Sequence, residues 1–115
     1  LAQGDVKTPV RRGKARPEQV LFDLRKRQMA HRESTGRFVE CGPIPTQIPQ
    51  KDVPWPTKNC FEPLAFRPAK LVRYQIAAEL LRGKLQLSLR EKVDGAPVVW
   101  ILGEDSKAPL RFPPL

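Results

Sequence analysis

Residues 68–102 read PAKLVRYQIAAELLRGKLQLSLREKVDGAPVVWIL, and the fold turns on how this stretch divides. Pro68 suits the first turn of a helix, where its missing N–H costs nothing. Val72, Ile76 and Leu80 fall at i, i+4 and i+8, and Leu71, Tyr74, Ala78 and Leu81 at i, i+3, i+7 and i+10. Gly83 suits the residue after a helix C-terminus. The spacing predicts a helix over 68–82 with a wide apolar face. From Lys84 the period changes. Leu85, Leu87 and Leu89 alternate with Gln86, Ser88 and Arg90, the pattern of a half-buried strand. Asp94-Gly95 is a tight-hairpin signal, and Val98-Val99-Trp100-Ile101-Leu102 supplies the return strand.

The turn sets the register. With Asp94-Gly95 as the loop, Val93 faces Ala96, Leu89 faces Trp100 and Leu87 faces Leu102. Leu85, Leu87, Leu89, Val98, Trp100 and Leu102 then share one side, which a one-residue slip would scatter. Pro97 suggests an edge position for the second strand. A two-stranded hairpin is marginal alone, so helix 68–82 is its expected cover. The expected fold class is α+β: a small helix-on-β-hairpin module, with strands over 84–91 and 97–102 and Trp100 near the core's centre.

Outward from that module the chain is basic and rich in proline. It has 115 residues, 21 Lys+Arg against 12 Asp+Glu, a net charge of +9, and 13 prolines. Such a length bounds it to one domain at most. Residues 1–40 carry +5, residues 41–70 +2 and residues 71–115 +2. Residues 1–16 lack hydrophobic periodicity and read as a flexible basic arm. Residues 17–41 open with Pro17 and Glu18, continue through Val20, Leu21 and Leu24, and carry Arg25, Lys26, Arg27 and Arg32 late. That order fits the helix dipole and predicts a basic helix over 17–33, ended by Gly36. Residues 37–41 suggest a short strand. The tract 42–67 holds Pro43, Pro45, Pro49, Pro54, Pro56 and Pro63 and is expected to be extended. Residues 103–115 hold three more prolines and read as an extended C-terminal arm.

The residues offer little for catalysis. His31 is the one histidine, and no Ser/His/Asp or Cys/His arrangement, Walker loop or GxGxxG can be argued. The chain reads as a non-enzyme with no cofactor and no small-molecule substrate. Cys41, Cys60 and His31 make three candidate metal ligands, one short of a structural zinc site. The two cysteines are expected as free thiols. A disulfide closing the proline tract, or a metal site shared with a neighbouring chain, are the alternatives.

A chain this basic seeks a polyanion. No RNP1 string, GXXG loop or zinc-finger spacing occurs, so binding would be directed at phosphates. The expected function is that of a structural RNA-binding protein in a ribonucleoprotein, a ribosome, with an organellar one included. Lys7, Arg11, Arg12, Lys14, Arg16, Arg25, Lys26, Arg27 and Arg32 would contact RNA. Ile48, Trp55, Phe61, Phe66 and Phe112 would dock on neighbouring proteins, with Leu110 and Leu115 as further anchors. The alternatives are an accessory subunit of a protein-only complex of the respiratory type, or a free regulatory nucleic-acid-binding protein. No apolar run reaches the ~18 residues of a membrane span. The start at Leu1 is compatible with a removed presequence, which makes an intracellular, mitochondrial-matrix location the expectation.

Overall fold

The computed structural model describes residues 16–114. The helix α1 spans Pro17–Thr35. Pro17 opens it, and Gly36 at φ 83° closes it, its N–H donating to the Arg32 carbonyl at 2.7 Å. Val20, Leu21, Leu24 and Gln28 form its buried stripe, so Phe22 is left exposed. The strands are β1 (Cys41–Ile44), β2 (Val53–Pro54), β3 (Leu71–Val72), β4 (Tyr74–Leu81), β5 (Lys84–Val93), β6 (Ala96–Gly103) and β7 (Leu110–Phe112). Five of them make one antiparallel sheet in the order β1-β4-β5-β6-β7, and β2 pairs with β3 separately. The protein is therefore a small α+β fold, one helix against a five-stranded antiparallel sheet.

The Asp94-Gly95 hairpin forms as its turn chemistry requires. Both residues have positive φ, 52° and 79°, and the register pairs Val93 with Ala96, Leu89 with Trp100 and Leu87 with Leu102. Leu85, Leu87, Leu89, Val98 and Leu102 are buried on the expected side, with Trp100 partly buried against them. Pro97 sits beyond the stretch of β6 that β7 covers, so that end of β6 is an edge even though the rest is not.

The helix expected over 68–82 is instead two strands, β3 and β4. Leu81 pairs with Lys84, so Arg82 and Gly83 form the two-residue loop of a hairpin, with φ of 53° and 79°. Positions at i, i+4 and i+8 also lie on a period of two. Val72, Tyr74, Ile76, Ala78 and Leu80 alternate with Arg73, Gln75, Ala77, Glu79 and Leu81. Ile76 and Ala78 face the core as strand residues. The cover of the hairpin is α1, which packs against β5 and β6 through Val20, Leu21 and Leu24.

The tract 42–67 is no extended arm. Prolines exclude long helices and central strands, but they permit short pieces held by turns. Gly42 lies so close to β4 that an added Cβ would stand 2.6 Å from the Ile76 carbonyl oxygen. Val53 pairs with Val72, and the Trp55 N–H donates to the Lys70 carbonyl at 3.0 Å. Asn59 builds a local turn: its Nδ2 donates to the Pro56 carbonyl, and its Oδ1 accepts from the Phe61 N–H at 2.7 Å. A 3-10 turn follows over Glu62–Leu64. Cys41 and Cys60 form a disulfide with Cα atoms 5.4 Å apart, which corrects the expectation of free thiols. Trp55, Phe61 and Phe66 pack with ring centroids 5.4–6.3 Å apart and are buried.

Two further expectations change. Residues 37–40 do not form a strand; Val39 is held by the buried Gln28 amide, which donates to its carbonyl at 2.7 Å and accepts from its N–H at 2.8 Å. The C-terminal segment is not an arm, because β7 returns to pair with β6, Val99 opposite Phe112 and Ile101 opposite Leu110. No helix among the described residues is long and apolar enough to cross a membrane.

Candidate functional site

The cations expected to meet RNA divide into three groups. Lys7, Arg11, Arg12 and Lys14 lie outside the described residues. Arg16, at the N-cap of α1, and Lys26 are exposed. Arg25, Arg27 and Arg32 are engaged by their own chain. Arg25 Nη1 donates to the Gly103 carbonyl at 2.9 Å and the Ser106 carbonyl at 2.6 Å, fastening α1 to the end of β6. Arg27 pairs with Asp23 at 2.9 Å and donates to the carbonyls of Leu64 and Ala65, fastening α1 to the 3-10 turn. Arg32 pairs with Glu104 at 3.2 Å and lies over the Phe38 ring at 4.6 Å. A guanidinium offers five donors in a fixed fork, and here that fork reads carbonyls left open where β6 and the tract turn. Sequence reasoning counted these charges and missed their partners.

The expected protein contacts also divide. Trp55, Phe61 and Phe66 belong to the core and are not available to a neighbour, whereas Ile48 is half-buried and Phe112 is 48% exposed. Trp55 Nε1 is buried with no acceptor among the described residues. Cys41 and Cys60, being bonded to each other, supply no thiolate to accompany His31. Among the described residues no group of three or more His, Cys, Asp or Glu side chains is placed to hold a metal.

Where β4 begins, Tyr74 packs against the core opposite Glu91, and Glu91 accepts from Trp100 Nε1 at 2.8 Å. Arg111 stands over the Trp100 ring at 5.8 Å. Burial, and then the Glu91 carboxylate, push the Tyr74 phenol up to about 12 from 10.0. The neutral phenol is what the fold favours. Its contribution to stability is full below pH 10 and is lost as pH rises toward 12. Absorbance titration of the single tyrosine should show ionisation delayed to about pH 12, and Glu91→Gln should bring it partway back toward 10. An ordinary titration near pH 10 would contradict this environment.

The sheet face away from α1 is a second candidate. Opposed strand residues share a face. Arg90, Val99 and Phe112 form one row, and Ser88, Ile101 and Leu110 the next. Leu110 is 63% exposed. The hairpin register already turned Val99 and Ile101 outward; what the sequence did not signal is that β7 extends the face beside them.

The fold and these surfaces define a class: a disulfide-stapled α+β module with a cationic N-terminal segment and a sheet face that is exposed at Leu110 and Phe112. The chain matches no family model, and no curated protein or solved structure matches it.

Proposed function

We propose that the protein is a non-catalytic subunit of a protein assembly in an oxidising compartment. The Cys41–Cys60 disulfide carries this reading. Disulfides persist in secreted, lumenal and periplasmic proteins and are rare where thioredoxin and glutathione keep thiols reduced. A ribosome sits in the second kind of compartment. The internal use of Arg25, Arg27 and Arg32 supports the same reading, because three of the nine cations assigned to RNA hold carbonyls and carboxylates of their own chain.

The experiment is recovery of the native protein, cross-linked and uncross-linked, under non-reducing conditions at low and high salt. Protein partners retained at high salt, with both cysteines blocked to alkylation until reduction, are the expected result. Recovery with RNA alone, stripped by salt, would sink the reading.

A second reading, a structural RNA-binding protein of a ribonucleoprotein, keeps the support of the N-terminal charge: Lys7, Arg11, Arg12, Lys14 and Arg16 against Asp5. Five phosphate contacts on single-stranded RNA would give a slope of log K against log salt of about −3.5. Deleting residues 1–16 should abolish that slope and leave the folded module intact. A salt-independent interaction would exclude this reading.

A further inference from the structure

The face of the sheet opposite α1 carries an apolar block with a charged border. Val99 and Ile101 on β6 are half-buried, and Phe112 and Leu110, their cross-strand partners on β7, are 48% and 63% exposed. Together they are contiguous, two residues deep and two strands wide. Singly exposed apolar side chains are ordinary, but a contiguous exposed block marks an interaction surface. The other side of β5 and β6 is covered by α1.

Three observations say what covers the block. First, β7 has three residues and is flanked by Pro109 and Pro113, which deny donors to an added strand. The occupant therefore lies across the face and does not extend its edge. Second, the border on β5 is cationic. Arg90 is in the same row as Val99, and the exposed Lys92 follows on the same face. Glu79, the acidic residue of this face, is on β4 toward the other end, opposite Gln86. Third, the chain carries +9, so a second copy would bring a like-charged border against this one.

We propose that this face seats an amphipathic helix of a partner protein. Its apolar stripe lies on Val99, Ile101, Leu110 and Phe112, and its carboxylates face Arg90 and Lys92. The sheet is then covered by a helix on each side, its own basic one and a foreign acidic one. The inference rests on the reading of the chain as an assembly subunit and adds the partner's chemistry. The assay below needs no native assembly, so either idea can fail without the other.

The probes are two synthetic helical peptides with one leucine stripe, flanked by glutamate in one and by lysine in the other. Fluorescence anisotropy is read on the oxidised full chain. The acidic peptide should bind about tenfold more tightly. The Leu110→Ser/Phe112→Ser variant should weaken it about tenfold. Because that variant alters a short strand, the Arg90→Glu/Lys92→Glu variant gives an independent check: it should reverse the preference toward the basic peptide. Equal binding of both peptides, or of neither, overturns the proposal. So does acidic-peptide binding that is lost with Arg11→Glu/Arg12→Glu but unmoved by changes on the face. A dimer in sedimentation equilibrium that Phe112→Ser dissolves would give the face to a second copy and overturn it too.

Discussion

Replacing Phe61 with alanine should cost about 3–5 kcal/mol, the range for truncating a fully buried aromatic side chain. Phe61 has no exposed surface. Its ring lies edge-on to Phe66 at 5.4 Å and is stacked with Trp55 at 6.3 Å. Its N–H and carbonyl are both committed, to Asn59 Oδ1 and to the Leu64 N–H, so the backbone cannot collapse freely into the space left behind. A domain of this size has about 5–15 kcal/mol in total. The variant should therefore be close to unfolding at physiological temperature. Urea denaturation followed by tryptophan fluorescence measures the loss. Phe112→Ala is the comparison, because Phe112 is half exposed on the last strand. It should cost well under half as much, in line with its smaller buried area. Equal, small losses for the two would mean that the tract 42–67 does not pack, and the aromatic trio would be wrong.

That contrast also marks where the sequence was readable. The hairpin 84–102 was, since turn chemistry and alternation agree on one register, which β5 and β6 adopt residue for residue. So was α1, where Pro17, the acidic start, the basic end and Gly36 point to the same boundaries within two residues. Residues 71–81 were not. Their apolar spacing fits both periods, and Arg82-Gly83 serves as well for a helix end as for a hairpin loop. Only the neighbouring strand β5, with an unpaired edge to fill, decides the matter. The proline tract hides its structure for a different reason. Its order comes from a disulfide, an Asn59 side chain and two-residue strands, none of which has a period.

The candidate sites show the same division. Charge was legible as a total, but whether an arginine meets a phosphate or a carbonyl depends on what folds beside it. Arg25 and Glu104 are 79 positions apart in sequence, yet Arg25 ties the helix to the turn at 103–106 while Arg32 takes the Glu104 carboxylate. The outer face was half legible: alternation turned Val99 and Ile101 outward, and the return of β7 past Pro109 could not be foreseen.

Loss of the Cys41–Cys60 bond should destabilise the fold by about 3 kcal/mol, the chain-entropy value for a closed loop of about 20 residues. The two cysteines are separated by 19 positions, and the loop between them contains β2, Ile48 and Trp55. The effect should be local before it is global. Amides of the tract, Trp55 and Phe61 among them, should lose protection against exchange first, while the β4–β5–β6 meander retains it. Cys41→Ala/Cys60→Ala is the cleaner test, because Cys41 is buried and serine would leave a hydroxyl there to satisfy. Combining it with Phe61→Ala tests their coupling: both hold the same segment, so the losses should be less than additive. Full additivity would mean that staple and aromatic trio act on separate parts. The same bond links stability to place. If the native protein, trapped with an alkylating reagent at lysis, carried two free thiols, the loop would be held in its host by packing alone. The compartment proposed for it would then be the wrong one.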